Sequence, residues 1–301
     1  MTADTGGFRS VWTYLNRTPH ALRTVEARGV RTRFLEAGDP SNPALILLHG
    51  TAGSLENFCA NYEALSRDYH VLGLDLLGCG YTDKPDFDYR IPDYAAHVRD
   101  FMDAVGIEQA SLVGVSLGSW VAARLAKDSP ERIVSLIALA PAGIVVDAAE
   151  EETFAADVRR RRGAAAADPT WETVRTAMGR LMLDQNDLID DLVAVRLAIY
   201  RQDSMKAAMG HLLAFTQGND KLSPDEWAEI RQPMLVVASV DAPNMFLDNA
   251  HEIARIVPGA ELCEMHDCDH WPQFEQPEQF HTAALEFLGR HARGRELSDA
   301  L

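Results

Sequence analysis

A chain of 301 residues with 47% hydrophobic and 24% charged side chains suits one large α/β domain, or such a core carrying an insertion. The formal net charge of −17 argues against phosphate-backbone binding, which needs clustered Lys and Arg, so no nucleic-acid partner is expected. The basic run Arg159-Arg160-Arg161-Arg162 follows the acidic run Glu150-Glu151-Glu152, and both read as the solvated face of one helix. Cys59, Cys79, Cys263 and Cys268 show no C-x-x-C spacing, which favours reduced structural thiols. Residues 1–10 lack the apolar core of a signal peptide, and no window reaches transmembrane length. The expectation is a soluble, cytoplasmic protein with no membrane partner.

In chain order, 23–26 and 30–36 flank Ala27-Arg28-Gly29 and predict a hairpin. Apolar runs at 44–48, 71–74, 111–115, 133–139, 234–238 and 261–265 then alternate with helical patterns. That alternation predicts a mostly parallel, doubly wound sheet. Between about 143 and 221 the strand pattern stops, and helices are predicted at 150–162, 170–183, 188–201 and 204–217. Asp168-Pro169-Thr170 supplies a start signal, and Gly163 and Gly218 supply stops. The chain thus divides into a first core part (1–142), a helical lid (143–221) and a second core part (222–301).

Gly114-Val115-Ser116-Leu117-Gly118 closes one predicted strand and opens a helix, the context in which G-x-S-x-G presents a nucleophile on a tight turn. His49-Gly50-Thr51-Ala52-Gly53 follows the 44–48 strand and can aim a backbone amide above Ser116. Acyl transfer needs two donors for its oxyanion, and the amides of Thr51 and Leu117 are the candidates. Cys268-Asp269-His270-Trp271 follows the last strand, and His270 there can return to deprotonate Ser116. His49, His70, His97 and His281 read as structural. No His/Asp/Glu cluster has ligand spacing, so neither a metal nor another cofactor is implied.

With these residues the chain resembles the α/β-hydrolases, and more narrowly the meta-cleavage product hydrolases, which cleave carbon–carbon bonds in 2-hydroxy-6-oxo-dienoates. The likeness covers about 30–288 and is carried by His49-Gly50, the segment Asp75-Leu76-Leu77-Gly78-Cys79-Gly80-Tyr81-Thr82-Asp83-Lys84-Pro85, Gly114–Gly118, Pro141-Ala142-Gly143-Ile144 and Cys268-Asp269-His270-Trp271-Pro272-Gln273-Phe274-Glu275. The His-Trp-x-Gln-x-Glu ending is the part most particular to this branch. Leu183-Asp184-Gln185-Asn186-Asp187-Leu188-Ile189 is similar to a lid segment of the same branch. The resemblance implies that Arg196 meets the dienoate carboxylate, since a guanidinium can pair with it bidentately. It further implies that Asn57 and Trp271 line the pocket, that the substrate is a small molecule, and that a homodimer would be unsurprising.

The third triad member departs from the pattern. Aligned without gaps from Pro233, the family's acid falls on Ala242, with Asp241 one residue earlier. Two compensating length changes would bring Asp241 into place, and Asp241 is the favoured acid. Asp147 or Glu150, beyond a strand end occupied by Ala140, are the alternatives. Val115 stands where the family often has asparagine, and Asp269 replaces a usual glycine beside His270, where its charge could raise the imidazole pKa, although an unneeded surface carboxylate is the favoured reading. A carboxylesterase or lactonase on the same residues, a non-catalytic binding protein and a cofactor-free oxygenase are the rival readings.

Overall fold

The computed structural model describes residues 9–291. Residues 1–8, most of the segment expected to lack a signal-peptide core, lie outside the described residues.

The predicted hairpin is β1 (His20–Ala27) and β2 (Val30–Ala37), paired antiparallel from His20↔Ala37 to Ala27↔Val30. Arg28 and Gly29, with φ of 48° and 86°, make the two-residue turn in the left-handed conformation that matches strand twist. The apolar runs follow as β3 (Ala44–Leu48), β4 (His70–Leu74), β5 (Ala110–Val115), β6 (Ile133–Leu139), β7 (Met234–Ser239) and β8 (Glu261–Met265). The sheet order is β1-β2-β4-β3-β5-β6-β7-β8. β2 pairs antiparallel with both β1 and β4, and every later pairing is parallel. Strands β3 to β5 are almost wholly buried, as expected when helices cover both faces of a sheet.

Helices α1 (Ile91–Ala104) and α2 (Leu117–Asp128) flank β5 in the chain. Between β6 and β7 stand α3 (Ala148–Ala167), α4 (Trp171–Gly179), α5 (Asp190–Tyr200) and α6 (Asp203–Leu213), the helical insert. Gly163 does not stop α3. The Ala164–Ala167 run carries good helix formers onward, and the helix ends only at Asp168, where Pro169 disfavours further α conformation. Ion pairs fasten the insert to the core: Arg90 Nε to Asp220 at 2.7 Å, and His211 to Asp88 and Asp86 at 2.7 and 2.9 Å. Helices α7 (Met245–Ile256) and α8 (Pro277–His291) complete the layers. No helix among the described residues is long and apolar enough to cross a membrane.

In this order the chain winds from β3 outward to β4, then back across to β5 on the other side. The carboxyl ends of β3 and β5 therefore border a topological switch point, the usual place for a ligand crevice in such sheets. His49-Gly50 leaves β3 there, and Ser116 leaves β5.

Candidate active site

Ser116 sits between β5 and α2 with φ 54° and ψ −114°, a left-sided backbone conformation that costs a non-glycine residue about 1–3 kcal/mol. Neighbouring contacts hold it there. Ser116 N donates to Leu139 O at 2.9 Å, and Ser119 Oγ donates to Ser116 O at 2.6 Å while accepting from Ala142 N. The flanking glycines are forced by proximity. A Cβ on Gly118 would run into the Leu48 carbonyl, and one on Gly114 into the backbone of Gly118.

The Thr51 loop is fixed from below. His49 Nδ1 donates to Gly50 O at 2.7 Å, and its Nε2 accepts from Leu76 N at 3.1 Å, so the ring is a neutral bridge between two loops. Arg33 reaches from β2 to grip Asp75 (Nε at 2.6 Å) and Glu56 (Nη1 at 2.9 Å), all three side chains buried. Asp75 in turn accepts from Leu55 N and Tyr81 N. This network, which the sequence reading did not anticipate, positions the turn that carries Asn57.

Ser116, Thr51, Asn57, Arg196, His270 and Trp271 line one small cavity, together with Arg161 and Arg162. Asn57 Oδ1 accepts from Ser54 N at 2.9 Å and from Arg196 Nη2 at 3.3 Å. Arg196 comes from α5 and is 2% exposed. Trp271 is buried with its ring edge-on to Phe274. A second cavity adjoins the first at Ser116 and is lined by Leu117, Trp120, Ala142, Phe215, Met245 and Phe246. Ser116, Thr51, Phe154 and Val158 belong to both. The serine thus stands where a cationic half meets a largely apolar half. Of the apolar residues in the insert, Leu181 and Phe215 line these cavities, while Leu192 and Leu212 are in the buried core and Leu197 packs against it.

A profile of the α/β hydrolase fold family matches residues 43–277. The chain belongs to the α/β-hydrolase fold family. It is 28% identical over 283 residues to a 2-hydroxy-6-oxo-6-(2'-aminophenyl)hexa-2,4-dienoic acid hydrolase of Metapseudomonas resinovorans, covering 92% of this chain and 94% of that one. It is 30% identical to a 2-hydroxy-6-oxononadienedioate/2-hydroxy-6-oxononatrienedioate hydrolase of Paraburkholderia phymatum, covering 87% and 92%. Among solved structures, a serine hydrolase involved in carbazole degradation superimposes with a TM-score of 0.78 at 25% identity, covering 91% of this chain and all of the other.

This α/β-hydrolase has no carboxylate bonded to His270 among the described residues. Asp241, the expected acid, is corrected: it accepts from Asp267 N at 2.9 Å and from His266 Nδ1 at 3.3 Å on an exposed loop. Asp147 caps α3 by accepting from Ala149 N and Glu150 N, and Glu150 is exposed. Asp269 accepts from Asn244 Nδ2 at 3.0 Å. Ala140, Met245 and Phe246 form an apolar cluster at the strand ends where an acid was expected, and the Phe246 ring lies edge-on to His270 at 4.4 Å. Burial pushes the His270 pKa down to about 3, with the charges of Arg162 and Arg161 adding to the effect, so Asp269 does not raise it. Because Asp241 is a surface residue, Asp241→Asn is expected to leave kcat within about twofold of wild type. A triad acid would cost about 10⁴-fold, and steady-state turnover separates the two outcomes.

His49, His97 and His270 are buried and neutral, pushed down to about 3, 4 and 3 from 6.5. The folded values are depressed, so their contribution to stability is complete above pH 6.5 and is lost as pH falls toward them. Unfolding near pH 5 then takes up close to three protons at these rings, a slope of about 4 kcal/mol per pH unit. Urea midpoints measured at pH 7, 6 and 5 should fall throughout, about half as steeply between pH 7 and 6 as near pH 5. A flat series would mean that the rings are already charged in the native protein.

Sequence reasoning missed Arg161 and Arg162. Their run was expected to be a solvated face, yet Arg162 is 7% exposed and both line the cavity. The signal was present: Arg162 falls in phase with Ala155, Val158 and Ala165, the buried stripe of α3.

Proposed function

We propose that the protein hydrolyses a carbon–carbon bond in an acidic 2-hydroxy-6-oxo-dienoate, using Ser116 as nucleophile and His270 as base. The observation that carries the reading is the position of Ser116 between a cationic half holding Arg196 and Asn57 and an apolar half beyond it. The dienoate carboxylate pairs with Arg196, which Asn57 orients. The C6 substituent enters the apolar half. Ser116 Oγ then adds to the C6 ketone, and the oxyanion faces the amides of Thr51 and Leu117. Before that addition the dienol ketonises, its C2 hydroxyl proton passing to C5; His270 then takes the serine proton as Ser116 adds. The C5–C6 bond breaks with its electron pair delocalised to the C2 oxygen, His270 returns the proton to that dienolate, and water releases the acid from Ser116. The helical insert acts as a lid that excludes water while the anion is bound. The names of the relatives support the same chemistry.

A carboxylesterase or lactonase is the second reading, favoured by Val115, which is buried and offers substrate no polar contact before the nucleophile. Bleaching of yellow 2-hydroxy-6-oxo-6-phenylhexa-2,4-dienoate, compared with hydrolysis of p-nitrophenyl butyrate, tests between them. Preferential loss of the dienoate colour supports the proposal. Ester hydrolysis without bleaching at high enzyme concentration would replace it with the second reading.

A further inference from the structure

The arginine run on α3 divides by helical phase. Arg160 points to solvent, whereas Arg162 is 7% exposed and turns into the cavity that holds Arg196. A guanidinium withdrawn from water needs opposite charge or well-placed acceptors. Arg161 has a partner, with Nε 2.5 Å from Asp157, a carboxylate it shares with Arg160. Arg162 Nη1 and Arg196 Nε and Nη1 are buried without a hydrogen-bond partner. Among the described residues no carboxylate pairs with either Arg162 or Arg196; Arg196 has only the neutral Asn57 Oδ1 and the hydroxyl and ring of Tyr200 beside it.

In a chain with a net charge of −17, the lack of a counter-charge here is a local feature of the site, not a shortage of acids. A monocarboxylate brings one charge and fits one guanidinium fork, so two such guanidiniums are matched by two carboxylates. The adjoining cavity has no comparable donors. There Lys221 is already paired with Glu151 at 2.8 Å, among Trp120, Phe215 and Phe246.

We propose that Arg162 is a second anion-binding residue, and that the substrate fragment on the Arg196 side of Ser116 is a dicarboxylate. One carboxylate pairs with Arg196 beside Asn57, and the other pairs with Arg162, with Arg161 adding positive charge. The proposal rests on the acidic-substrate reading above and narrows it: both negative charges belong to the fragment that leaves C6, and the arm beyond C6 is neutral.

Calorimetric binding of pent-2-enedioate and pent-2-enoate to the full-length protein tests this without any turnover. Wild type is expected to hold the dicarboxylate about 10- to 100-fold more tightly, the range of one added charge-assisted hydrogen-bonded pair. Arg162→Met should bring that ratio close to one while leaving pent-2-enoate binding nearly unchanged. Arg162→Lys, which keeps the charge without the fork, should restore part of the ratio, an effect that a merely structural role for Arg162 would not produce. Equal affinities in wild type, or a preference that survives Arg162→Met, would overturn the proposal. A dicarboxylate preference lost in Arg162→Met, in a protein that bleaches no dienoate, would uphold the second anion site and remove carbon–carbon hydrolysis. Bleaching by a protein with no such preference would do the reverse.

Discussion

Ser116→Ala is expected to slow single-turnover cleavage of the dienoate by about 10⁴-fold or more, the scale on which a lost nucleophile acts in serine hydrolases. The substitution keeps the Cβ, so the hydrogen bonds from Ser116 N to Leu139 O and from Ser119 Oγ to Ser116 O are retained. Substrate binding should persist, since Arg196 and Asn57 are untouched. Stopped-flow mixing separates the two effects: the Kd for substrate stays within about threefold while the rate collapses. A modest slowing would instead mean that Ser116 only orients substrate, with His270 activating water directly.

Arg196→Met carries the second large effect. It should lower kcat/KM for acidic dienoates by about 10²- to 10³-fold, the cost of losing a buried charge-assisted pair in the bound complex. Neutral p-nitrophenyl esters should change by less than about threefold, because the residue's charge has nothing to meet. The same variant should be more stable than wild type without ligand. Arg196 is fully buried with Nε and Nη1 unpartnered, and replacing such a charge by an apolar side chain of similar length removes a desolvation penalty. Equal losses on acids and esters, or a lower melting temperature, would remove Arg196 from substrate recognition. The trade is between stability of the empty protein and selectivity for an anion.

How far the sequence could be read depended on the range of the interaction involved. The hairpin turn at Arg28-Gly29 and the strands β3 to β8 follow from local apolar runs and turn residues, which act over a few positions. The turn geometry at Ser116 was equally local, and the convergence of Asn57, Arg196, His270 and Trp271 on one cavity was reached through the family resemblance. The surroundings of His270 were not legible. Asp241 has the right chemistry within one position of the expected place, but the Asp267 amide and the His266 ring bind it at the surface. Conversely, four consecutive arginines read as a charged surface because composition speaks before phase. Only the register of α3 against the core shows that one of them belongs to the buried stripe. The Arg33–Asp75–Glu56 network joins residues from β2, the end of β4 and the turn before Asn57, separations over which no local pattern reports.

That network also limits how this enzyme can be changed. Glu56 precedes Asn57 in the turn, and Arg33 holds Glu56 from the strand of the hairpin while Asp75 holds Arg33 from β4. The turn is therefore not a transplantable module. A graft that moved residues 51–58 into a related scaffold would arrive without its two ionic anchors, and Glu56 would become a buried carboxylate lacking its cation. Altering the specificity of this pocket by exchanging loops requires moving three distant stretches of chain together, whereas changing side chains on α3 and α5 leaves the anchors in place.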